Sequence, residues 1–167
     1  MNAEQVVSAL IGAFFGAAGW LLVGLYMQRR LHQRAARNAA RAVYFELEVN
    51  RINVEVALRH GVFQPLSRAS FERLLPELAT WLSADELQTL TRAYMAHAGH
   101  QQVQADQSVP PAVRQALLQR IATEQQTAAA VLSRRAFSVA ERERMSAAEG
   151  RGEARSVSAD VGTVLDG

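Results

Sequence analysis

The residues best placed to do chemistry are His97 and His100 in the stretch "HAGH". Three positions apart on a continuous helix, they would share a face and could begin a metal site, with Asp106 or His60 as a third ligand. A zinc or iron centre needs three or four ligands with second-shell support, and only these two are adjacent, so the spacing reads as two half-exposed histidines at a helix end. No metal is expected. Glu46 and Glu48, two residues apart, point to different sides of a helix, which gives paired-carboxylate catalysis no support. The chain has no cysteine, which excludes disulfides, thiolate metal sites and a cysteine nucleophile. It also lacks G-x-S-x-G, P-loop, glycine-rich dinucleotide and H-E-x-x-H motifs. No catalytic residue and no cofactor are therefore assigned, and an enzyme is not expected.

The chemistry that remains is electrostatic. All 18 basic residues are arginine, and Arg29, Arg30, Arg34, Arg37 and Arg41 follow directly on an apolar run. Val6 to Met27 carries no charge. As a helix it would extend about 33 Å, enough to cross a hydrocarbon core of about 30 Å. The run is too long, and the preceding "MNAEQ" too acidic, for a cleaved signal peptide. Trp20 and Tyr26 match an interfacial belt, and arginine on the C-terminal side alone predicts the N-terminus outside and the rest cytoplasmic, at a bacterial inner membrane. Arg29, Arg30 and Arg34 are the three close enough to meet anionic head groups and set topology. Arg41 would stand about 20 Å above Met27 on a straight helix, beyond the reach of the surface potential. Lying against the membrane with no groove-binding module, the block is not expected to bind nucleic acid.

Placed on a helical wheel, the run separates into two sides. Ser8, Gly12, Gly16 and Gly19 head a small-residue side that includes a GxxxG pair, a surface on which another backbone can approach closely in lipid. Leu and Phe take the other side.

Four units are expected: a transmembrane anchor over 1–28, a long basic helix over 29–61, a helical cytoplasmic domain over 62–137, and a short helix with a disordered tail over 138–167. The second unit has two apolar stripes. Val43, Leu47, Val54, Ala57 and Leu58 share one face with Asn50, while Phe45, Val49, Ile52 and Val56 lie opposite. Asn50 either fixes register in a packed seam or bonds a neighbouring backbone group. Gly61 should cap the helix end. Ser67 or Ser70 can cap the next segment, which Pro76 kinks or divides. "LSADEL" is a capping box of Ser83 and Glu86, opening a helix expected to end near Gly99 or to fray beyond it. Pro110 and Pro111 open the last long helix, with Val113, Leu117, Ile121, Ala128 and Val131 or Leu132 inward; Ser138 and Glu141 could cap a short one after it. No segment alternates as a strand would, so the fold expected is all-α: one transmembrane helix continuing into a small antiparallel bundle.

The single span, the basic helix, "ELEVN", "LSRASF" and "LSADELQTL" leading to "AYM" together resemble a loose class of bacterial single-pass, membrane-anchored helical proteins. The resemblance covers residues 5 to 100 and implies no activity. The work expected of such a chain is that of a scaffold or accessory subunit, with the bilayer and either a second copy or a larger membrane complex as partners. A bilayer-active lysis protein is the alternative, and a membrane-bound enzyme a more distant one.

Overall fold

A computed structural model describes the backbone of residues 3–106 and 108–148, and the side chains of residues 12 and 14 onward within that range. Five helices form there, and no strand occurs among the described residues. They are α1 (Ala3–His60), α2 (Ala69–Ala79), α3 (Ala84–Ala105), α4 (Pro111–Ala136) and α5 (139–148). The disordered tail expected after residue 148 lies outside the described residues.

The apolar run and the basic segment after it are one continuous helix. No proline interrupts α1, and its 58 residues give a rod of about 87 Å. It ends where Gly61 takes φ +66° and its N–H donates to the Ala57 carbonyl at 3.0 Å. That left-handed turn is the one glycine supplies without strain.

Only the distal part of α1 is packed. From Ala36 upward, Ala39, Ala40, Val43, Leu47, Val54 and Ala57 are buried, at the three- and four-residue steps of a single face. The other helices run alternately down and up against it. α2 descends, with Phe71 beside Glu46 and Thr80 near His32. α3 climbs and α4 descends beside it, with Glu86 opposite Arg135, His97 opposite Gln125, and Leu117 against Gly99. A larger core holds Val43, Leu47, Phe71, Leu90, Tyr94 and Leu132. A smaller one at the far end joins Val54 and Ala57 to Leu118 and Ile121.

Four local expectations change under tertiary contact. α3 does not stop at Gly99: it continues to Ala105 because His100 and Val103 are buried against the bundle. A Cβ on Gly99 would already lie 3.4 Å from Leu117, so the glycine permits close approach and does not end the helix. Pro76 sits inside α2 without dividing it. Neither Ser67 nor Ser70 is the N-cap of α2; that position is Arg68, which makes no side-chain cap bond. On α4, Val113 is exposed, and Leu118 and Gln125 are buried in the stripe assigned to Leu117 and Ile121.

Both capping boxes form. Ser83 N–H donates to Glu86 at 2.9 Å and Glu86 N–H to the Ser83 hydroxyl at 3.3 Å; Ser138 and Glu141 repeat the pattern at 2.7 and 3.3 Å. Glu86 also accepts two bonds of 2.8 Å from Arg135, which joins the start of α3 to the end of α4. The guanidinium is the main cause that brings the Glu86 pKa down to about 2. Glu86→Ala removes the cap and this cross-link, and a loss of about 1 kcal/mol by urea denaturation is expected, mostly from the cap because the ion pair is largely exposed.

Candidate interaction surfaces

Among the described residues, nothing packs on the foot of α1. Phe14, Phe15, Trp20, Leu21, Leu22, Leu25 and Tyr26 are all exposed. A Cβ at Gly12, Gly16 or Gly19 would meet nothing within 4 Å, so the proposed packing side has no partner within the described chain. Ser8 lies outside the described side chains. Among the described residues, no helix is long and apolar enough to cross a membrane. The transmembrane span expected over 1–28 has no support from them; its apolar run begins at Val6, and the side chains of residues 6–11 and 13 fall outside the description.

The arginine block divides in two. Arg29, Arg30 and Arg34 are exposed, and no acidic partner pairs with them among the described residues. Arg37 and Arg41 turn to the bundle, where both donate to the Ala136 carbonyl, at 2.8 and 3.1 Å. Arg41 also bonds Glu141 at 2.6 Å and lies over the Phe137 ring at 5.1 Å. Two cations at the C-terminus of α4 answer its unpaired carbonyls and negative dipole end. They tie the last helices to α1 and are not available to a membrane.

The two apolar stripes of α1 meet different fates. The one with Asn50 is the core face. Phe45, Val49 and Ile52 on the other are 55%, 55% and 53% exposed, and α4 does not close over them. Glu48, Arg51, Glu55 and Arg59 pair along the adjoining edge.

Two polar clusters lie inside the bundle. Glu46 and Asn50, one turn apart on α1, hold the segment before α2. Asn50 makes a two-way bond with the Ser67 backbone, at 2.8 Å in each direction. Glu46 accepts from the Ser67 hydroxyl at 2.9 Å, Ser70 N–H at 2.7 Å, Phe71 N–H at 3.3 Å and Tyr94 OH at 2.8 Å. The carboxylate thus caps α2 from another helix. Burial is the largest single influence and pushes the Glu46 pKa up, but the bonds from Ser70, Tyr94, Ser67 and Phe71 together hold it below the usual carboxylate range. Burial, followed by the bond to Glu46, raises that of Tyr94.

The second cluster lies between α3 and α4. His97 and His100 are buried, not half-exposed, and they share a helical face because α3 runs on through Gly99. His97 Nε2 lies 3.1 Å from Gln125 Nε2. His97 Nδ1, both His100 nitrogens and Gln125 Oε1 have no hydrogen-bond partner among the described residues. Burial chiefly, then the nearby Arg68 and His100, bring His97 down to about 4; burial lowers His100 also. Asp106, one proposed third ligand, is exposed and bonds Ser108, and His60 is exposed at the end of α1. Among the described residues no group of three or more His, Cys, Asp or Glu could hold a metal ion.

No role is assigned to Glu46 or Gln125 from the sequence, although a local signal exists for both. Each is a polar residue at a position where the helix period calls for an apolar one: Glu46 between Val43, Leu47 and Asn50, and Gln125 between Ile121 and Ala128.

No protein family, no curated protein and no solved structure matches this chain.

Proposed function

We propose that the chain is a membrane-anchored helical scaffold or accessory subunit, acting by protein–protein association at the cytoplasmic face of a bacterial inner membrane. The observation that carries this reading is the uncovered state of α1. Its foot is apolar and unpacked, and its upper half keeps Phe45, Val49 and Ile52 outward although four other helices are at hand. Exposed apolar faces of this kind bury themselves in lipid or against a partner. Residues 1–28 would form the span, with Ser8, Gly12, Gly16 and Gly19 as its packing side and Arg29, Arg30 and Arg34 at the head groups. Association would run from the span into the outward stripe, with a second copy or a larger membrane protein as partner. No reaction is required of it.

The full-length protein should resist alkaline extraction from membranes, and a C-terminal reporter should register in the cytoplasm. In detergent, light scattering of the purified protein or its native complex should show an assembly. Gly12→Leu with Gly16→Leu, or Val49→Ser with Ile52→Ser, should shift it toward the monomer by about tenfold in dissociation constant, equivalent to about 1.4 kcal/mol. A protein released by alkali, or a wild-type monomer with no co-purifying partner, would overturn the reading.

A further inference from the structure

A groove lies at the foot of the bundle, where the exposed and packed parts of α1 meet. Its walls are α1 from Leu25 to Ala36 and the Thr80–Trp81 turn between α2 and α3, and it encloses a cavity of about 620 Å³. That size falls in the range of about 300–1,000 Å³ typical of small-molecule sites. A second cavity of about 350 Å³ opens beside it, sharing His32 and Thr80 and reaching Glu77 on α2.

The groove sorts charge by side. On α1, Gln28 and Arg29 supply donors. Arg29 has no acidic partner among the described residues. His32 is oriented by Nδ1–H, which donates to the Gln28 carbonyl one turn back at 3.0 Å, so that Nε2 of the neutral ring is an acceptor. On α2, Glu77 lines the smaller cavity, and its Oε2 is buried without a hydrogen-bond partner among the described residues. A buried carboxylate oxygen left unpaired is costly, and a cationic donor entering the smaller cavity would relieve it. Trp81, half-buried against the larger core, lines the larger cavity with an indole of the kind that settles at a membrane–water interface.

An anion site and a cation site in adjoining cavities match a zwitterion better than a simple anion. We propose that this groove binds a phosphoethanolamine group, its phosphodiester held by Arg29 with Gln28, and its primary ammonium by Glu77. An ammonium of this type donates three hydrogen bonds, whereas a choline donates none and a glycerol head group brings no positive charge. The membrane lipid as the source of the group rests on the anchored reading above; a soluble glycerophosphodiester carries the same chemistry.

The test uses the full-length chain, which has two tryptophans. Trp20→Phe leaves Trp81 as the only indole, at the rim of the groove. In detergent, short-chain phosphatidylethanolamine should change Trp81 emission saturably, with an apparent affinity at least tenfold above that for phosphatidylcholine or phosphatidylglycerol. Glu77→Gln should remove that preference and leave the phosphatidylglycerol titration as it was. Arg29→Gln, at an exposed position that cannot disturb the core, should weaken all phosphodiesters about tenfold. Equal titration by the three lipids, or a preference that survives Glu77→Gln, overturns the proposal. Soluble glycerophosphoethanolamine separates the two readings. Saturable, Glu77-dependent binding of it by a protein that alkali releases from membranes would support the groove and refute the anchor. Stable insertion without lipid discrimination would refute the groove alone.

Discussion

Glu46→Ala should lower the free energy of unfolding by about 3–4 kcal/mol, among the largest effects of any single polar truncation in the bundle. Removing the carboxylate leaves the Ser70 and Phe71 N–H groups, the Tyr94 hydroxyl and the Ser67 hydroxyl without their acceptor. Two of these belong to the first turn of α2, whose own N-cap residue supplies no side-chain bond. Hydrogen bonds to a charged acceptor contribute about 1.5–3 kcal/mol each, and bonds that share one carboxylate do not add in full. Asn50→Ala, which releases the Ser67 backbone alone, should cost about 2 kcal/mol. Urea midpoints at pH 7 measure both. A cost below about 1 kcal/mol for Glu46→Ala would mean that α2 is held by Phe71 and Leu78 packing and not by the carboxylate.

Acid should unfold the domain in two stages, the first belonging to the histidines. His97 is neutral in the fold, with its pKa brought from 6.5 to about 4, so between those values the unfolded chain binds a proton that the folded chain does not. Stability therefore rises with pH across that window and falls as pH drops through it. A displacement of that size is worth about 3 kcal/mol by pH 4, and His100, lowered in the same direction, adds to it. The groups that face His97 are Tyr94 and His100 on its own helix, Gln125 on α4, Arg68 before α2 and Glu46 on α1, and only the last favours the imidazolium. Glu46 governs the second stage. Its folded pKa lies below the ordinary 4.5, so its contribution is complete above 4.5 and is lost as pH falls through the depressed value. Urea midpoints at pH 7.5, 6, 5 and 4 should show the decline, and His97→Gln, which leaves Gln125 a partner but removes the titration, should flatten its upper part. A wild-type midpoint constant from pH 7.5 to 4.5 would contradict this account.

The sequence by itself determined the features that depend on residues a few positions apart. Helix ends are such features: Ser83 with Glu86, Ser138 with Glu141, and Gly61 satisfy backbone groups within one turn, so their residue types announce them. The two apolar stripes of α1 were equally plain, because Val43, Leu47, Val54 and Ala57 with Asn50 recur at the helical period on one face, as Phe45, Val49 and Ile52 do on the other. What the period could not say is which of two apolar stripes would be covered, since Phe45, Val49 and Ile52 have the same spacing and composition. Only the directions in which α2 and α4 return decide that. The same holds for the continuation of α3 past Gly99, where Leu117 on α4 accepts the bare backbone and the burial of His100 and Val103 outweighs the glycine's weak helix propensity of about 1 kcal/mol. It holds for Glu46, whose partners lie 21 to 48 residues away. The arginine block shows the division within one run of sequence. Arg29, Arg30 and Arg34 stay in solvent, while Arg37 and Arg41 meet a carbonyl 99 and 95 residues later. Sequence pattern records local hydrogen bonding and periodic burial, but a pairing between distant residues leaves no mark on either neighbourhood until the chain has folded.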